Sequence, residues 1–410
     1  MRLTSRRRPG IGAIAVLGAV ALTLSACGEG GGEASESGGE VTVGVVIPLS
    51  GATSSVGELI RHGYEMAEAE INEAGGIDGN NLKFEYGDHT GDPATGAREA
   101  RTLVQQKGAV ALTGSYESGV TLVVAQSAEQ LKVPYVVPYS SATSITESGF
   151  TYTFRTRPPL PEWSKTMSEF LVWQGENGGE PVTKVGLLVD GTEYGQTAKA
   201  AYEEAAEAAG LEVVGTRTLE QGQTNLSAQL TQLRQSGAQA IYASTYLDSS
   251  MGAVRTMDSL GWQVPYMTVG SGIVHPAFFD LGGLAEGVTS STSWSASLDS
   301  KPSQEFAKAY EEKYGEVATD DAAYAYAAAY LIKEAVENAG EVDAESITES
   351  LRNDEFTSPE ANIIPTGGTL KFDEKGQAHP SILMAQAQGG QWKVVYPEEF
   401  ASSEYQPISN

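Results

Sequence analysis

Hydroxyl side chains follow two predicted strands at the points where each strand leads into a helix. Ser118 comes after the strand 109–113, and Ser140 and Ser141 come after the strand 133–137. Since the first amides of a helix have no partner within it, they and nearby hydroxyls readily bind a carboxylate. The pattern predicts a site for a small solute with an anionic group. The alternative is that these serines only cap helices.

The sequence lacks the motifs of common enzyme classes. Ser118 has Tyr116 where a G-x-S-x-G nucleophile elbow needs its first glycine, and there is no G-x-x-x-x-G-K-[ST] phosphate loop. The four histidines, at positions 62, 89, 275 and 379, are too far apart for metal-ligand spacing. We therefore expect a binding protein with no enzymatic activity, no metal and no cofactor.

The lone cysteine, Cys27, closes a segment with the features of an export signal. Arginines at positions 2 and 6–8 precede an apolar run, residues 11–24, and small residues precede Cys27. The run is shorter than the about 20 residues that span a bilayer. A cysteine at this point predicts a bacterial lipoprotein, acylated on Cys27; the alternative is an ordinary secretory signal. The arginines leave both Sec and twin-arginine export open.

Acidic residues outnumber basic ones in this 410-residue chain, whose formal net charge is −27. Residues 1–26 carry four arginines and no acidic residue, so their removal would leave the remainder more negative. This charge argues against nucleic acid as a partner and favours solubility outside the cell. Residues 28–40 are rich in Gly, Ser and Glu and predict a flexible tether.

Strands and helices alternate from residue 41 onward, in two series separated by a segment rich in Pro and Arg at 155–161. This alternation predicts parallel sheets covered by helices on both faces. The predicted strands are 41–47, 82–86, 109–113, 133–137, 185–189, 211–214, 240–243 and 266–269. The last third predicts helices at 303–314, 321–339 and 344–352 and antiparallel strands near 369–372 and 392–395.

Several short segments share an order and spacing that are typical of one family. They are PLSG at 48–51, Gly57, Gly63, AEINEAGGIDG at 69–79, Asp88, DP at 92–93, Gly114 to Ser118, VPY at 133–135, residues 139–146, FR at 154–155, EYG at 193–195 and FDEKG at 372–376. Together they resemble the branched-chain amino-acid-binding proteins, the type I periplasmic binding proteins of ABC importers. The resemblance covers residues 41 to about 397.

The resemblance implies an α/β fold of two doubly wound, Rossmann-like lobes with parallel sheets. Three crossover hinge segments would join the lobes, and the ligand cleft would lie between them. The predicted boundaries are a signal peptide at 1–26, an acylated cysteine and linker at 27–40, a first lobe at 41–156 plus 291–355, a second lobe at 157–290 plus 356–398, and a tail at 399–410.

The resemblance also implies a binding site. Positions matching Ser118, Tyr139 and Ser141 hold the carboxylate and ammonium of the ligand in the family, and Ser140 lies in the same loop. In the second lobe, Tyr194 and Tyr246 fall on aromatic positions of the cleft; the alternative is that both are plain packing residues.

One departure from the family pattern leaves the ligand class open. Amino-acid binders have a glutamate after the strand 266–269, where it pairs with the ammonium, but this chain has Gly270. Asp320 and Asp321 lie near another pocket position, so a carboxylate there could serve the ammonium from the other side. The alternative is that one of them caps the following helix.

The function implied by the resemblance is delivery of a small polar solute to an ABC permease by a receptor on the outer face of the cytoplasmic membrane. An amino acid of the branched-chain type is the first candidate. The alternatives are an amide or urea-like solute, a small carboxylic acid, or a sensor role with a separate signalling partner. We expect a lipid-anchored monomer.

Overall fold

Two β-sheets form the framework of the chain, which the computed structural model describes over residues 38–269 and 273–408. The first sheet has five parallel strands in the order β2-β1-β3-β4-β5. Their bounds are β1 Glu40–Ile47, β2 Asn81–Asp88, β3 Ala111–Gly114, β4 Tyr135–Val137 and β5 Thr153–Arg155. Cys27 and Gly270 lie outside the described residues.

The second sheet has seven strands in the order β12-β11-β10-β9-β8-β6-β7. Neighbours from β7 to β10 run parallel, whereas β11 is antiparallel to both β10 and β12. Their bounds are β6 Lys184–Asp190, β7 Glu212–Leu219, β8 Ala240–Ser244, β9 Tyr266–Val269, β10 Thr289–Thr292, β11 Leu383–Gln388 and β12 Gln391–Tyr396.

Helices cover both sheets, as the alternating pattern predicts. They are α1 Ser54–Glu73, α2 Pro93–Lys107, α3 Ser118–Leu131, α4 Ser144–Glu147, α5 Leu160–Glu176, α6 Glu193–Ala208, α7 Ser227–Gln235, α8 Leu247–Ser259, α9 Lys301–Tyr314, α10 Asp320–Ala339 and α11 Ala344–Asn353. Within the described ranges, no helix combines the length and apolarity needed to cross a membrane.

Local sequence explains most of these elements. Every residue of β1 after Glu40 is buried, as expected for a β-branched strand inside a parallel sheet. Asp92 caps α2 by accepting a hydrogen bond from the Thr95 amide at 2.7 Å, and Pro93 occupies the first turn. Both features are typical of the first turn of a helix.

The predicted strand at 369–372 is wrong, and three strands, β5, β10 and β11, were missed. Only an isolated antiparallel bridge joins Phe356 to Leu370. The strand that pairs with β10 and β12 is β11, whose sequence, LMAQAQ, contains no β-branched residue. Its local propensity is therefore not that of a strand, and pairing within the sheet overrides it.

The chain passes between the sheets three times, which confirms the predicted architecture of two doubly wound lobes. It leaves the first sheet after β5, returns after β10 into α9, α10 and α11, and enters the second sheet again at β11. The three C-terminal helices share one apolar cluster with β1 and α1, and so do side chains between Phe356 and Ala378. The lobe boundaries themselves stay a prediction.

Helices α1 and α10 approach each other closely at Gly63. A Cβ atom at this position would lie 2.2 Å from the Ala322 carbonyl oxygen and 2.7 Å from the Ala325 Cβ. Main-chain atoms of α10 cannot move aside as a flexible side chain can, so only glycine fits. This contact holds α10, and the residues that follow Asp320, against the first sheet.

We expect Gly63→Ala to lower the free energy of unfolding by about 1–3 kcal/mol, because the added methyl group overpacks the helix contact. Urea denaturation measures the change. Gly283→Ala is the matched control, since a Cβ there meets no atom within 4 Å. Equal stability of the two variants would contradict the packing argument.

Candidate functional site

A cavity lies where the carboxyl ends of strands from both sheets meet, the place where doubly wound proteins bind ligands. It encloses about 340 Å³ of space that no protein atom fills, part of it open to solvent. Its lining residues are Tyr116, Ser118, Tyr139, Ser140, Ser141, Tyr194, Thr245, Tyr246 and Val269. Six of the residues that the sequence predicts for binding are thus brought together, although their role in binding stays a prediction.

Ser118 and Ser141 offer free hydroxyl groups to the cavity. Ser118 is the first residue of α3, and no side chain caps this helix. Both serines are 3% exposed, and among the described residues neither hydroxyl has a hydrogen-bond partner. Both serines line the cavity, so their hydroxyls are available to a bound solute.

Ser140 has a different role, because its hydroxyl is used within the protein. It donates to the Tyr116 carbonyl oxygen at 3.0 Å and also bonds the Thr121 hydroxyl. These bonds tie the loop after β4 to the start of α3. Ser140 therefore positions the two hydroxyl-bearing segments relative to each other.

The guanidinium of Arg155 holds the same loop from behind. Its Nη1 donates to the carbonyl oxygens of Ala142 at 2.6 Å and Ser140 at 3.4 Å, and its Nη2 donates to the Thr146 hydroxyl at 2.9 Å. Its Nε donates to Gln377 Oε1 at 2.5 Å. Burial lowers the pKa of Arg155 to about 9, which is still above neutral, so the side chain stays charged.

Four tyrosine rings form a continuous aromatic wall from one sheet to the other. Ring centroids are 6.5 Å apart for Tyr139 and Tyr116, 5.8 Å for Tyr116 and Tyr246, and 5.8 Å for Tyr246 and Tyr194. Burial raises the pKa of Tyr194 and Tyr246, so both hydroxyls stay protonated. The wall offers apolar faces and neutral hydroxyl groups, and no charge of its own.

Asp321 is not among the side chains that line the cavity. It is fully buried, and its main-chain carbonyl oxygen accepts a hydrogen bond from the Tyr139 hydroxyl at 3.2 Å. Burial raises the pKa of Asp321 well above its usual value, and the neighbouring charge of Asp320 raises it further. Both effects favour the neutral acid, which is a poor partner for an ammonium group.

The expectation that Asp320 or Asp321 caps α10 is wrong. The cap is Thr319, whose hydroxyl accepts from the Ala322 amide at 3.4 Å. Asp320 instead forms a fully buried ion pair with Arg157 at 3.2 Å. A carboxylate at the first helical turn has a favourable interaction with the helix dipole without serving as the cap.

Sequence reasoning missed three lining residues, Tyr116, Thr245 and Val269. Each stands at the end of a strand or within two residues of it: β3 ends at Gly114, β8 at Ser244 and β9 at Val269. That position is the available signal, because the carboxyl ends of parallel strands meet at one edge of a sheet. The Thr245 hydroxyl bonds the hydroxyls of Ser250 and Tyr266, so it is engaged within the second lobe.

Comparison with known proteins gives a consistent result. Residues 40–391 match the family model described as "Periplasmic binding protein". The chain is similar to the Leu/Ile/Val-binding protein homolog 8 of Brucella abortus, with 29% identity over 381 residues, which covers 88% of this chain and 92% of that one.

Solved structures of similar fold carry different ligands. The substrate-binding protein LivJ of Streptococcus pneumoniae in complex with isoleucine has a TM-score of 0.77 and 23% identity, covering 87% of this chain and 100% of that one. A solute-binding protein of R. palustris in complex with benzoate has a TM-score of 0.78 and 18% identity, covering 90% and 98%. At these identities the likeness shows the fold alone.

We expect Arg155→Met to loosen the loop after β4, because each buried acceptor that loses its donor costs about 1–3 kcal/mol. The melting temperature should fall, and amide hydrogen exchange should rise at residues 139–146. Arg234→Met is the matched control, since that exposed arginine donates to the Leu260 carbonyl alone; its effect should stay within about 0.5 kcal/mol. Unchanged exchange in the loop would show that Arg155 does not hold it.

Proposed function

The chain belongs to the periplasmic binding protein family, in its type I, Leu/Ile/Val-binding form, and on this premise we propose that it is a solute receptor of an ABC importer. The family consists of extracytoplasmic solute-binding proteins rather than enzymes. The observation that carries the proposal is the cavity between the two sheets, which is lined by Ser118 at the start of α3 and by Ser141 in the loop after β4.

The first candidate ligand is an amino acid of the branched-chain type. A carboxylate would bind the hydroxyls of Ser118 and Ser141 and the first amides of α3, while an apolar side chain would pack on the tyrosine rings and Val269. The name of the Brucella abortus relative supports this class.

An aromatic carboxylic acid is the second candidate, and the tyrosine wall favours it. Four rings within 6.5 Å of a neighbour provide the offset and tilted faces on which another aromatic ring packs well. The benzoate complex of the R. palustris protein is consistent with this class. The same hydroxyl groups would bind its carboxylate.

Closure of the two lobes on the solute would couple binding to recognition by the permease. One direct contact between the lobes supports this mechanism. The hydroxyl of Ser144, the first residue of α4, donates to Oε1 of Glu193, the first residue of α6, at 2.8 Å. A ligand that contacts both lobes stabilises the closed form, because the open form lacks half of those contacts.

A thermal-shift screen tests the ligand class. We expect L-leucine, L-isoleucine or L-valine to raise the melting temperature, since a ligand at 100 times its Kd adds about 2.7 kcal/mol of stability. Ser118→Ala with Ser141→Ala should weaken binding by roughly 1–3 kcal/mol through lost bonds to a charged group. Calorimetry measures the loss.

The matched control is Ser148→Ala with Ser259→Ala, two exposed serines that bond only carbonyl oxygens of their own segments. This double variant should bind as the wild type does. Equal affinity of both double variants would remove Ser118 and Ser141 from the site. Stabilisation by benzoate but by no amino acid would favour the second candidate.

We further propose that the receptor is held at the outer face of the cytoplasmic membrane by acyl chains on Cys27. After removal of residues 1–26, residues 28–40 would form the tether between the lipid and the folded body. Acyl chains partition into lipid at about 0.8 kcal/mol per buried CH₂, and two or more chains make anchoring stable. The tether would keep the monomer near its importer at high effective concentration.

Cys27→Ala should release the protein from membranes, because no thiol remains to be acylated. Fractionation of cells that express either form gives the measurement: the wild type is expected with the membrane and the variant in the soluble fraction outside the cytoplasm. A variant that still sediments with membranes would refute the anchor.

A further inference from the structure

Asp190 is a buried carboxylate beside the cavity. It is the last residue of β6, directly after Val189, which pairs with Ser244 on β8. That register places Asp190 alongside Thr245, and Tyr194 follows it at the start of α6. Both neighbours line the cavity.

One oxygen of this carboxylate is bonded and the other is not. Asp190 is 1% exposed, and its Oδ1 accepts a hydrogen bond from the Thr192 amide at 2.8 Å. Its Oδ2 is buried and has no hydrogen-bond partner among the described residues. Native proteins rarely leave a buried carboxylate oxygen unbonded, and such an atom calls for an explanation.

The charge of Asp190 acts on the cavity wall. Burial raises the pKa of Tyr194 and Tyr246, and the nearby Asp190 carboxylate adds to both shifts. Glu117 adds more than Asp190 to the pKa shift of Tyr246, and Arg157 opposes the pKa shift of Tyr194, whereas the described residues that line the cavity carry no charge. A cationic group bound there would be stabilised.

Other buried carboxylates near the cavity belong to the first lobe or are paired. Glu117 Oε1 accepts from the Thr53 hydroxyl at 2.6 Å, and its buried Oε2, 3.5 Å from His89 Nε2, has no hydrogen bond. Asp320 is paired with Arg157. Asp190 and Glu117 therefore both combine burial, an unbonded oxygen and cavity-lining neighbours, but Asp190 lies in the second lobe, opposite Ser118 and Ser141.

We propose that Asp190 accepts the ammonium group of an amino-acid ligand, and that it thereby selects zwitterions over carboxylic acids without an amino group. The inference rests on the proposed function, because it requires the solute to bind in this cavity. Asp190 would do from the end of β6 what the family's glutamate does from the sequence position after β9, and β9 lies two strands from β6 in the sheet order.

The two charged groups of the solute would then be held by opposite lobes. Ser118 and Ser141 belong to loops of the first sheet, and Asp190 belongs to the second. Only a solute with both an anionic and a cationic group would contact both lobes through charge-assisted hydrogen bonds. Selection for zwitterions and selection for the closed form therefore have the same physical origin.

A matched pair of ligands tests this role: L-leucine, and 4-methylpentanoate, which is the same molecule without its amino group. Wild type should bind leucine more tightly. Asp190→Asn keeps an oxygen for the Thr192 amide and removes the charge, so it should weaken leucine roughly 10–100-fold, as for a lost bond to a charged group. Its affinity for 4-methylpentanoate should be unchanged or higher. Titration calorimetry on the full folded chain measures the affinity of wild type and of the variant for each of the two ligands.

Asp248→Asn is the control, since this exposed carboxylate in the first turn of α8 gives the same change in net charge in the same lobe. It should leave both affinities unchanged. Equal weakening of both ligands by Asp190→Asn would show a structural role, and unchanged leucine binding would show no role; either result overturns the inference alone. Wild type that binds benzoate but no amino acid also overturns it and leaves the receptor role standing. Wild type that binds no solute of either class overturns the proposed function as well.

Discussion

The buried guanidinium of Arg155 is the interaction on which the arrangement of the site depends. Arg155 ends β5, where the chain first leaves the first sheet, and it pairs as a parallel bridge with Gln377 on the third crossing. The same side chain supports the carbonyl oxygens of the loop after β4. One desolvated cation therefore supports the loop after β4 and joins the first crossing to the third. Its burial is tolerable because carbonyl and amide oxygens satisfy its donors.

A second buried cation, Arg157, connects the first crossing to the second. Arg157 lies on the first crossing and pairs with Asp320 of α10, whose carboxylate also bonds the Thr292 hydroxyl at the end of β10. The guanidinium lies 4.9 Å from the ring centroid of Tyr324. All three crossings are thus connected to the first lobe by polar contacts in its interior.

The sequence predicted the elements whose local pattern and tertiary environment agree. Strand β1 is β-branched and buried, so its prediction was correct. Strand β11 has a composition without β-branched residues, and only its partners make it a strand. The cavity serines and tyrosines were found through their positions after strands and through the family resemblance. The supporting role of Arg155 could not be found from the sequence, because its hydrogen bond to Gln377 joins residues 222 positions apart.

Burial decides what each acidic residue near the cavity can do, and a sequence does not record it. Asp321 and Asp190 are both almost fully buried aspartates near strand or helix ends. Asp321 adjoins the ion-paired Asp320, and that charge favours its neutral form. Burial also raises the pKa of Asp190, but the hydrogen bonds from Thr192 oppose this shift, and no like-charged residue adjoins it in sequence. The proposed role requires the charged form, which the Thr192 amide supports at Asp190 and the charge of Asp320 opposes at Asp321, the residue to which the family pattern had directed attention.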